Sequence, residues 1–530
     1  MRRTSRRPSV GTGQALLLVL ALSPLGCNSR GSASKGPLVT PNTSPPPASP
    51  GAKPFADWPR PAGALVISGQ QDGYLEPCGC TEGQKGGLGR RFDLLDRLRK
   101  QGWPLAMIDL GSLAHDPATD RGGPEEVKLK FGAALHALDL MKYDALALGA
   151  NDLKLGVGDT LMRIVNTLKD RPRVVSANVT LADGIDQTGV FRKSVRTEAG
   201  PVKIGITAVL DPDAFAALND PDKAALLTFQ EPAEVLPAVL ADLEKDTQVQ
   251  VLMVQGAPEK ATEKATALAL AFPGFDIVVA TSAHPDPDKE PVPLNDGKTL
   301  LISVGRKGQY VGVVGLYQDV KTPFRYQRVM LNSRYDQAEA MRTLLDVDLQ
   351  EEYKAARVVE DFPRRPFVGG APGAKFVGAE ACQSCHPNTF ARWRGTGHAR
   401  AYEGLLKPGR NREADAECVS CHTTGFQYDS GFRSATETAH LKGNQCENCH
   451  GPASKHIQQP DDAEARKAIA LTADRADRNR LCLQCHDEDN SPHFKFESYY
   501  PKVAHKGLDT YNDPKVHRSG SPQGTPAASD

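Results

Sequence analysis

Residues 446–450 have the sequence Cys-Glu-Asn-Cys-His, in which two cysteines separated by two residues are followed directly by a histidine. The same pattern occurs at 382–386, 418–422 and 482–486. The copies start only 36, 28 and 36 residues apart, so the chain between them is too short for four separate small domains. Whatever the four copies bind must therefore pack together.

This pattern predicts covalent attachment of heme c. Two thiols three positions apart reach the two vinyl groups of one heme, and the next residue places its imidazole on the iron as proximal ligand. We therefore expect four hemes c. The attachment cysteines are Cys382, Cys385, Cys418, Cys421, Cys446, Cys449, Cys482 and Cys485, and the proximal histidines are His386, His422, His450 and His486.

Two zinc ribbons built from paired C-x-x-C motifs are the main alternative. Zinc sites need only the cysteines, so a histidine in the fifth position of all four copies would be unexplained, and disulfides explain it no better. The region 376–511 is also poor in aliphatic runs and could not bury a core of its own at this size. We expect the porphyrins to form that core, wrapped by short helices and loops.

The sequences flanking the motifs resemble the multiheme cytochrome c family, typified by the tetraheme protein that accepts electrons from hydroxylamine oxidoreductase. The matching stretches are 376–380, 393–399, 421–425, 446–452 with His456, and 499–505. In that family most irons have two histidine ligands and one can be five-coordinate. The resemblance implies His398, His456 and His505 as distal ligands, and His440, His493 and His517 remain as alternatives.

The N-terminal half alternates short apolar runs with helical patterns, which predicts a layered α/β domain. Leu88, Phe92, Leu95 and Leu98 share one helical face. Buried strands are predicted at 64–68, 105–109, 144–148, 173–177, 202–207, 249–254, 276–280 and 300–304.

This half resembles the calcineurin-like metallophosphoesterases, within them the bacterial 5'-nucleotidase branch. The matching stretches are 73–80, 86–91, 109–111, 147–152 and 304–312. The family binds two divalent metals, but Asp-x-His has become Gln70-Gln71-Asp72 and the Asp of Gly-Asp has become Ser112. Gly-Asn-His-Glu aligns with 149–152 and only one later imidazole remains, so we assign no catalytic residue and expect hydrolysis to be lost.

Four residues survive at the aligned ligand positions. They are Asp72, Asn151, Asp152 and His284, which could hold one residual ion or be ordinary solvated loop residues. Cys78 and Cys80 leave three alternatives open: a C-x-C disulfide, a metal pair, or small buried thiols in a tight glycine turn.

The first residues have the features of an export signal. Four arginines precede the apolar run 15–22, which is too short to span a hydrocarbon core about 30 Å thick. Gly26-Cys27 resembles the end of a lipobox, which implies lipidation of Cys27, although Pro24 departs from the motif and an ordinary cleaved signal remains open. We expect a bacterial cell-envelope protein, facing the periplasm or on the outer surface, anchored to a membrane by lipid.

The chain is therefore predicted to be multi-domain. The predicted segments are a signal peptide at 1–27, a flexible tether at 28–60, the metallophosphoesterase-like α/β sandwich at 61–330, a helical linker at 331–372, a mainly α and loop tetraheme domain at 373–511 and a disordered tail at 512–530. With 64 basic and 64 acidic side chains, nothing in the composition favours a nucleic-acid partner.

These features favour an electron carrier whose packed hemes conduct, with the α/β domain as scaffold or docking module. Its partners would be redox proteins or quinol-linked donors. The alternatives are a residual metal-dependent phosphoester hydrolase, a multiheme reductase with an open heme site, and a sensor whose α/β domain binds a ligand that changes access to the hemes.

Overall fold

The computed structural model describes residues 53–77, 84–182, 190–218, 220, 223–318, 323–407 and 411–509. Cys27, Cys78, Cys80 and His517 lie outside the described residues, as do the predicted signal peptide and tail. The predictions made for those positions are therefore not addressed by the structure.

Strands of the α/β half form two large sheets and one small one. Within the described residues the strands are β1 Gly63–Ser68, β2 Leu105–Asp109, β3 Ala145–Leu146, β4 Arg173–Val175, β5 Val179–Leu181, β6 Phe191–Arg192, β7 Ser194–Ala199, β8 Val202–Leu210, β9 Leu227–Phe229, β10 Val249–Gln255, β11 Ile277–Ala280, β12 Val292–Leu294, β13 Thr299–Ser303, β14 Tyr310–Leu316 and β15 Phe324–Met330. The sheet orders are β15-β14-β1-β2-β3-β4-β6, β12-β13-β11-β10-β8-β7 and β5-β9.

The two large sheets pack face to face. Successive side chains of a strand point to opposite faces, so Leu65 and Ile67 of β1 join an inter-sheet core that also contains Val251 of β10. Ala64 and Val66 belong instead to a core shared with helices. Strands buried on both faces must be apolar throughout, which explains the continuous runs seen in the sequence.

Helices cover the outer faces. They are α1 Leu88–Lys100, α2 Gly123–Met141, α3 Ala150–Leu153, α4 Val157–Thr167, α5 Pro212–Ala216, α6 Lys223–Leu226, α7 Pro232–Leu243 and α8 Pro258–Ala271. Helices α1 and α2 share the core of the first sheet, and α7 and α8 share that of the second. The predicted α/β sandwich is confirmed, with a helix–sheet–sheet–helix layering.

The eight predicted strands all occur, although 144–148 is shortened to the two residues of β3. The predicted connecting helix corresponds to α9 Glu339–Arg342, a π-helical stretch Thr343–Asp348 and α10 Leu349–Ala355. Its buried Met341, Leu344 and Leu349 join the core that contains α1 and α2. The helical part of the linker therefore packs on the α/β half, whereas Phe362 and Phe367 further along contact rings of the heme-binding part.

The C-terminal part consists of short helices and loops, as predicted. Its helices are α11 Pro387–Arg394, α12 Ala416–His422, α13 Cys446–His450, α14 Ser454–Gln458, α15 Ala463–Ala468, α16 Arg475–Leu483 and α17 Phe496–Val503. Single 3-10 turns lie at Ala379–Cys382, Tyr402–Gly404, Arg412–Ala414 and Ala439–Leu441, with another at Asn295–Gly297 in the α/β half. The described residues from Pro54 onward belong to one compact unit.

Candidate functional site

The four C-x-x-C-H motifs lie on short helical segments. The second occupies the end of α12 and the third spans α13, whereas the fourth begins in the last turn of α16. Helix α12 begins at Asp415, whose side chain accepts a hydrogen bond of 2.9 Å from the amide of Cys418. A helical turn brings residues three positions apart to the same side, so each motif presents its two thiols together.

Each proposed distal histidine lies opposite one motif histidine. The ring centres are 6.4 Å apart for His386 and His456, 6.0 Å for His486 and His398, and 5.8 Å for His450 and His505. The sequence had singled out both sets, but it gave no indication of which histidine would face which. The alternatives His440 and His493 are exposed.

The spacing of these pairs suits an iron between the rings. A metal–imidazole bond is about 2 Å long and a ring nitrogen lies about 1 Å from its ring centre, so two imidazoles on opposite faces of one iron have centres about 6 Å apart. Two imidazoles stacked directly on each other would lie much closer. The residues present therefore fit a heme with two histidine ligands at three of the four motifs.

The second ring nitrogen of several histidines is held by the protein. Nδ1 lies 2.5 Å from the carbonyl oxygen of Ala401 in His422, 2.8 Å from that of Ile469 in His450, and 2.9 Å from that of Val503 in His505. A carbonyl only accepts, so Nδ1 donates and Nε2 is left unprotonated, as a metal ligand requires. None of these partners could be found from sequence, because every residue has a carbonyl group.

Burial keeps these rings neutral. Burial lowers the pKa of His398, His450, His456 and His486, in three cases aided by a neighbouring histidine. Since the neutral imidazole is the form that binds iron, the burial of these rings favours ligation at neutral pH.

The motifs surround one large cavity and contact each other in pairs. The cavity has a volume of about 3820 Å³, well above the roughly 300–1,000 Å³ of an ordinary small-molecule site, and all four motifs line it. The neighbouring Cys446 thiol raises the pKa of the Cys382 thiol, and the neighbouring Cys485 thiol lowers the pKa of the Cys421 thiol. The first motif therefore lies beside the third and the second beside the fourth.

The zinc-ribbon alternative requires four ligands around one ion. Across the described ranges, no group of three or more His, Cys, Asp or Glu side chains is placed to hold a metal ion. The eight motif cysteines are free thiols.

The surviving phosphoesterase positions are engaged in other contacts. Asp72 forms a 2.9 Å ion pair with Arg306, and burial raises the pKa of its carboxyl group. Asp152 is buried and accepts hydrogen bonds of 2.8–2.9 Å from the amides of Ser112, Ala114 and Gly149. His284 is exposed and Asn151 half-buried, and the four predicted residues do not form a ligand cluster.

Known proteins match both halves of the chain. Residues 381–451 match the family model described as cytochrome c554 and c-prime. Cytochrome c-554 of Nitrosomonas europaea is 35% identical over 95 residues, which is 16% of this chain and 40% of the relative. The chain therefore matches less than half the length of this curated relative. The resemblance to multiheme cytochromes c is confirmed for that stretch.

Solved structures resemble the α/β half. A 5'-nucleotidase precursor from Thermus thermophilus is 19% identical, with 63% of this chain and 68% of that chain covered and a TM-score of 0.46. A calcineurin-like phosphoesterase from Bacillus subtilis is 17% identical, with 56% and 98% covered and a TM-score of 0.45. These likenesses concern the fold and not the activity. In the described part of the chain, no helix has the length and apolar character needed to cross a bilayer.

Proposed function

We propose that the chain is an exported tetraheme c-type cytochrome that transfers electrons, with the α/β domain as scaffold or docking module. The observation that carries the proposal is the set of three histidine pairs with ring centres 5.8–6.4 Å apart, each containing one motif histidine. The family match over 381–451 supports covalently bound heme c, and the fourth motif at 482–486 supports a count of four.

In this proposal the eight cysteines hold the hemes covalently and the histidines hold the irons. Heme c supplies one-electron chemistry when bound, and two histidine ligands suit electron transfer rather than substrate binding. Cys382 lies near Cys446 and Cys421 lies near Cys485, so the first motif is close to the third and the second is close to the fourth. This closeness supports electron movement between sites within one molecule.

The cellular setting is part of the same proposal. The apolar run and Cys27 support export and a lipid anchor in a bacterial envelope, facing the periplasm or the outer surface. The partners would be redox proteins or quinol-linked donors. Replacement of Cys27 by Ser should release the protein from membranes, and a Cys27→Ser variant that stays in the membrane fraction would contradict the anchor.

The heme count is tested on the purified protein by a pyridine hemochrome assay and intact mass. We expect four covalent hemes, and a mass fitting unmodified thiols or zinc would end the proposal. A double replacement of Cys446 and Cys449 by Ala should remove one heme and weaken the others, because neighbouring hemes form one another's packing surface.

The ligand assignment is tested by electron paramagnetic resonance (EPR) of the oxidised protein. Replacement of His398 by Ala should convert one low-spin ferric heme to high spin, since His398 lies across from His486. His136→Ala is the matched control, because His136 is an exposed histidine of α2 outside every candidate ligand set. An unchanged spectrum for His398→Ala would remove His398 from the ligand set.

A further inference from the structure

The segment that follows the fourth motif lies against loops of the α/β half. This segment, Asp487–Asn490, contacts Arg121 from the loop after β2 and Lys307 from the loop after β13. It also contacts Tyr74 from the loop after β1. The loops at one end of the first two strands and of β13 therefore converge on four residues of the heme-binding part.

Asp489 is hydrogen-bonded to three residues of the α/β half. Both of its carboxylate oxygens lie 2.6 Å from Nζ of Lys307, and Tyr74 donates to Oδ2 at 2.7 Å. Nε2 of Gln84 donates to its backbone carbonyl at 2.7 Å. Lys307 is only 26% exposed and Asp489 only 23%, so this ion pair is shielded from solvent more than a surface pair would be.

Arg121 joins two motifs at once. Its Nη2 donates to Oδ2 of Asp487 at 2.8 Å, and its Nη1 lies 3.6 Å from the sulfur of Cys421 in the second motif. Cys421 in turn contacts Cys485 of the fourth motif. One guanidinium of the α/β half therefore spans the junction between the second and fourth motifs.

The segment Asp487–Asn490 also determines the surroundings of His486. Oδ1 of Asp487 accepts from the amides of Asp489 at 3.1 Å and Asn490 at 2.7 Å, which closes the segment into a tight turn. The amide of Ser491 donates to the carbonyl of Asp487 at 2.8 Å. The hydroxyl of Ser491 then lies 3.1 Å from Nδ1 of His486, so the turn sets the position of that hydroxyl.

His486 differs in this respect from His422 and His450. Nδ1 of His422 and of His450 bonds to backbone carbonyls within the heme-binding part itself, at Ala401 and Ile469. A backbone carbonyl is held by its own chain, whereas the Ser491 hydroxyl depends on a turn whose carboxylates pair with the α/β half. Partners of a ligand's second nitrogen typically change metal affinity 10–100-fold when removed.

We propose that Arg121 and Lys307 are positioning residues for the fourth heme site, acting on His486 through the segment Asp487–Asn490 and Ser491. The α/β half then completes one metal site of the heme-binding part, using the loops at one end of its sheets. This inference rests on the proposed function, since it assumes that His486 holds an iron. The scaffold role proposed for the α/β half would then consist of positioning His486.

The test uses the full-length, heme-loaded protein. The variant is Arg121→Gln combined with Lys307→Met, which removes both charges and keeps the side-chain lengths similar. The low-spin EPR signal that disappears in His398→Ala identifies the heme shared by His398 and His486. In the double variant we expect that signal to shift or convert to high spin, and carbon monoxide to bind that reduced heme at least about tenfold faster.

Three controls separate positioning from general damage. Arg121→Lys with Lys307→Arg keeps both charges and should retain the wild-type signal. Lys307→Asp combined with Asp489→Lys exchanges the charges and should restore most of what Lys307→Asp alone loses. Arg196 forms ion pairs with Asp242 and Asp246 elsewhere in the α/β half. Arg196→Gln removes both ion pairs and should change no heme signal.

The outcomes distinguish the two proposals. If the wild type carries four hemes and the identified signal is unchanged in the double variant, the positioning role is wrong and the proposed function stands. Equal changes in all low-spin signals would also overturn the positioning role, because they would indicate a general loss of structure. A wild type without covalent heme would overturn the proposed function and this inference with it.

Discussion

The interiors of the α/β half and of the heme-binding part are built differently. In the α/β half the strands supply it: Leu65, Val251 and Ile277 are all 0% exposed and lie between two sheets. In 376–509 the chain instead surrounds a cavity of about 3820 Å³ lined by cysteines and histidines. The first half is filled by its own side chains, whereas the second has a small apolar cluster around Val419, Phe426 and Phe432 beside a cavity with room for a bound group.

The longest helices follow the same division, since no described helix of the heme-binding part exceeds nine residues. Helix α2 has 19 residues and α1 has 13, but α12 has seven and α13 has five. Isolated helices shorter than about 12–15 residues are marginal in water, so the short helices need packing partners to persist. For α12 one such partner is α2, because Val419 lies in the same core as that helix; under the proposed function the hemes would supply the rest.

The largest expected effect comes from removing the hemes. A full-length chain produced without heme attachment should lose stable structure over 376–509, because its helices are short and its cavity would be empty of packing partners. Limited proteolysis followed by mass spectrometry should show cleavage throughout that region and a resistant α/β half. The heme-loaded chain is the control. Equal resistance of both forms to proteolysis would show that 376–509 does not depend on heme for its structure.

A core substitution in the α/β half should destabilise that half and leave the heme sites unchanged. Leu65→Ala removes a fully buried side chain between the sheets, and the lost burial plus the cavity should lower the free energy of unfolding by about 2–5 kcal/mol. Chemical denaturation followed by far-ultraviolet circular dichroism measures the loss. The heme absorption spectrum of the folded protein should stay unchanged, and a shifted spectrum would show that the two cores are coupled.

Much of the architecture could be predicted from the sequence because buried strands and C-x-x-C-H motifs are local patterns. The strand β14 was not predicted, since Gly312 and Gly315 interrupt its apolar run. A Cβ atom on Gly315 would lie 2.8 Å from the ring of Trp58, so this glycine reflects a close approach that only the fold reveals. The β-branched residues around it carry the strand.

The details of the site depended on contacts between distant residues. The sequence indicates the candidate ligands as a set, but His386 and His456, whose rings face each other in the structure, lie 70 residues apart in the chain. The acidic residues Asp487 and Asp489 would pass as an ordinary solvated turn in the sequence. They pair with Arg121 and Lys307, which lie 366 and 182 positions away in the chain.

A smaller effect is expected around Asp152 in the α/β half. Asp152→Ala should leave the amides of Ser112, Ala114 and Gly149 without their acceptor and cost about 2–3 kcal/mol of unfolding free energy. Thermal unfolding measures this cost, with Asp159→Ala as an exposed control. Phosphate release from AMP with added manganese should be absent in the parent protein. Metal-dependent release that Asp152→Ala abolishes would contradict the structural role and favour a hydrolase.

The smallest effect is expected from the loss of a single hydrogen bond, between Ser491 and His486. Ser491→Ala removes the hydroxyl that is the partner of Nδ1 of His486. In His422 and His450 the partner of Nδ1 is a backbone carbonyl instead. Donation from Nδ1 makes the imidazole more electron-rich and so favours ferric iron. Its loss, worth about 1 kcal/mol, should raise the midpoint potential of one heme by about 40 mV. A spectroelectrochemical titration measures this shift, and Ser498→Ala, an exposed serine in α17, is the control. A potential that falls, or a shift spread over all hemes, would mean that the Ser491 hydroxyl does not act on His486 alone.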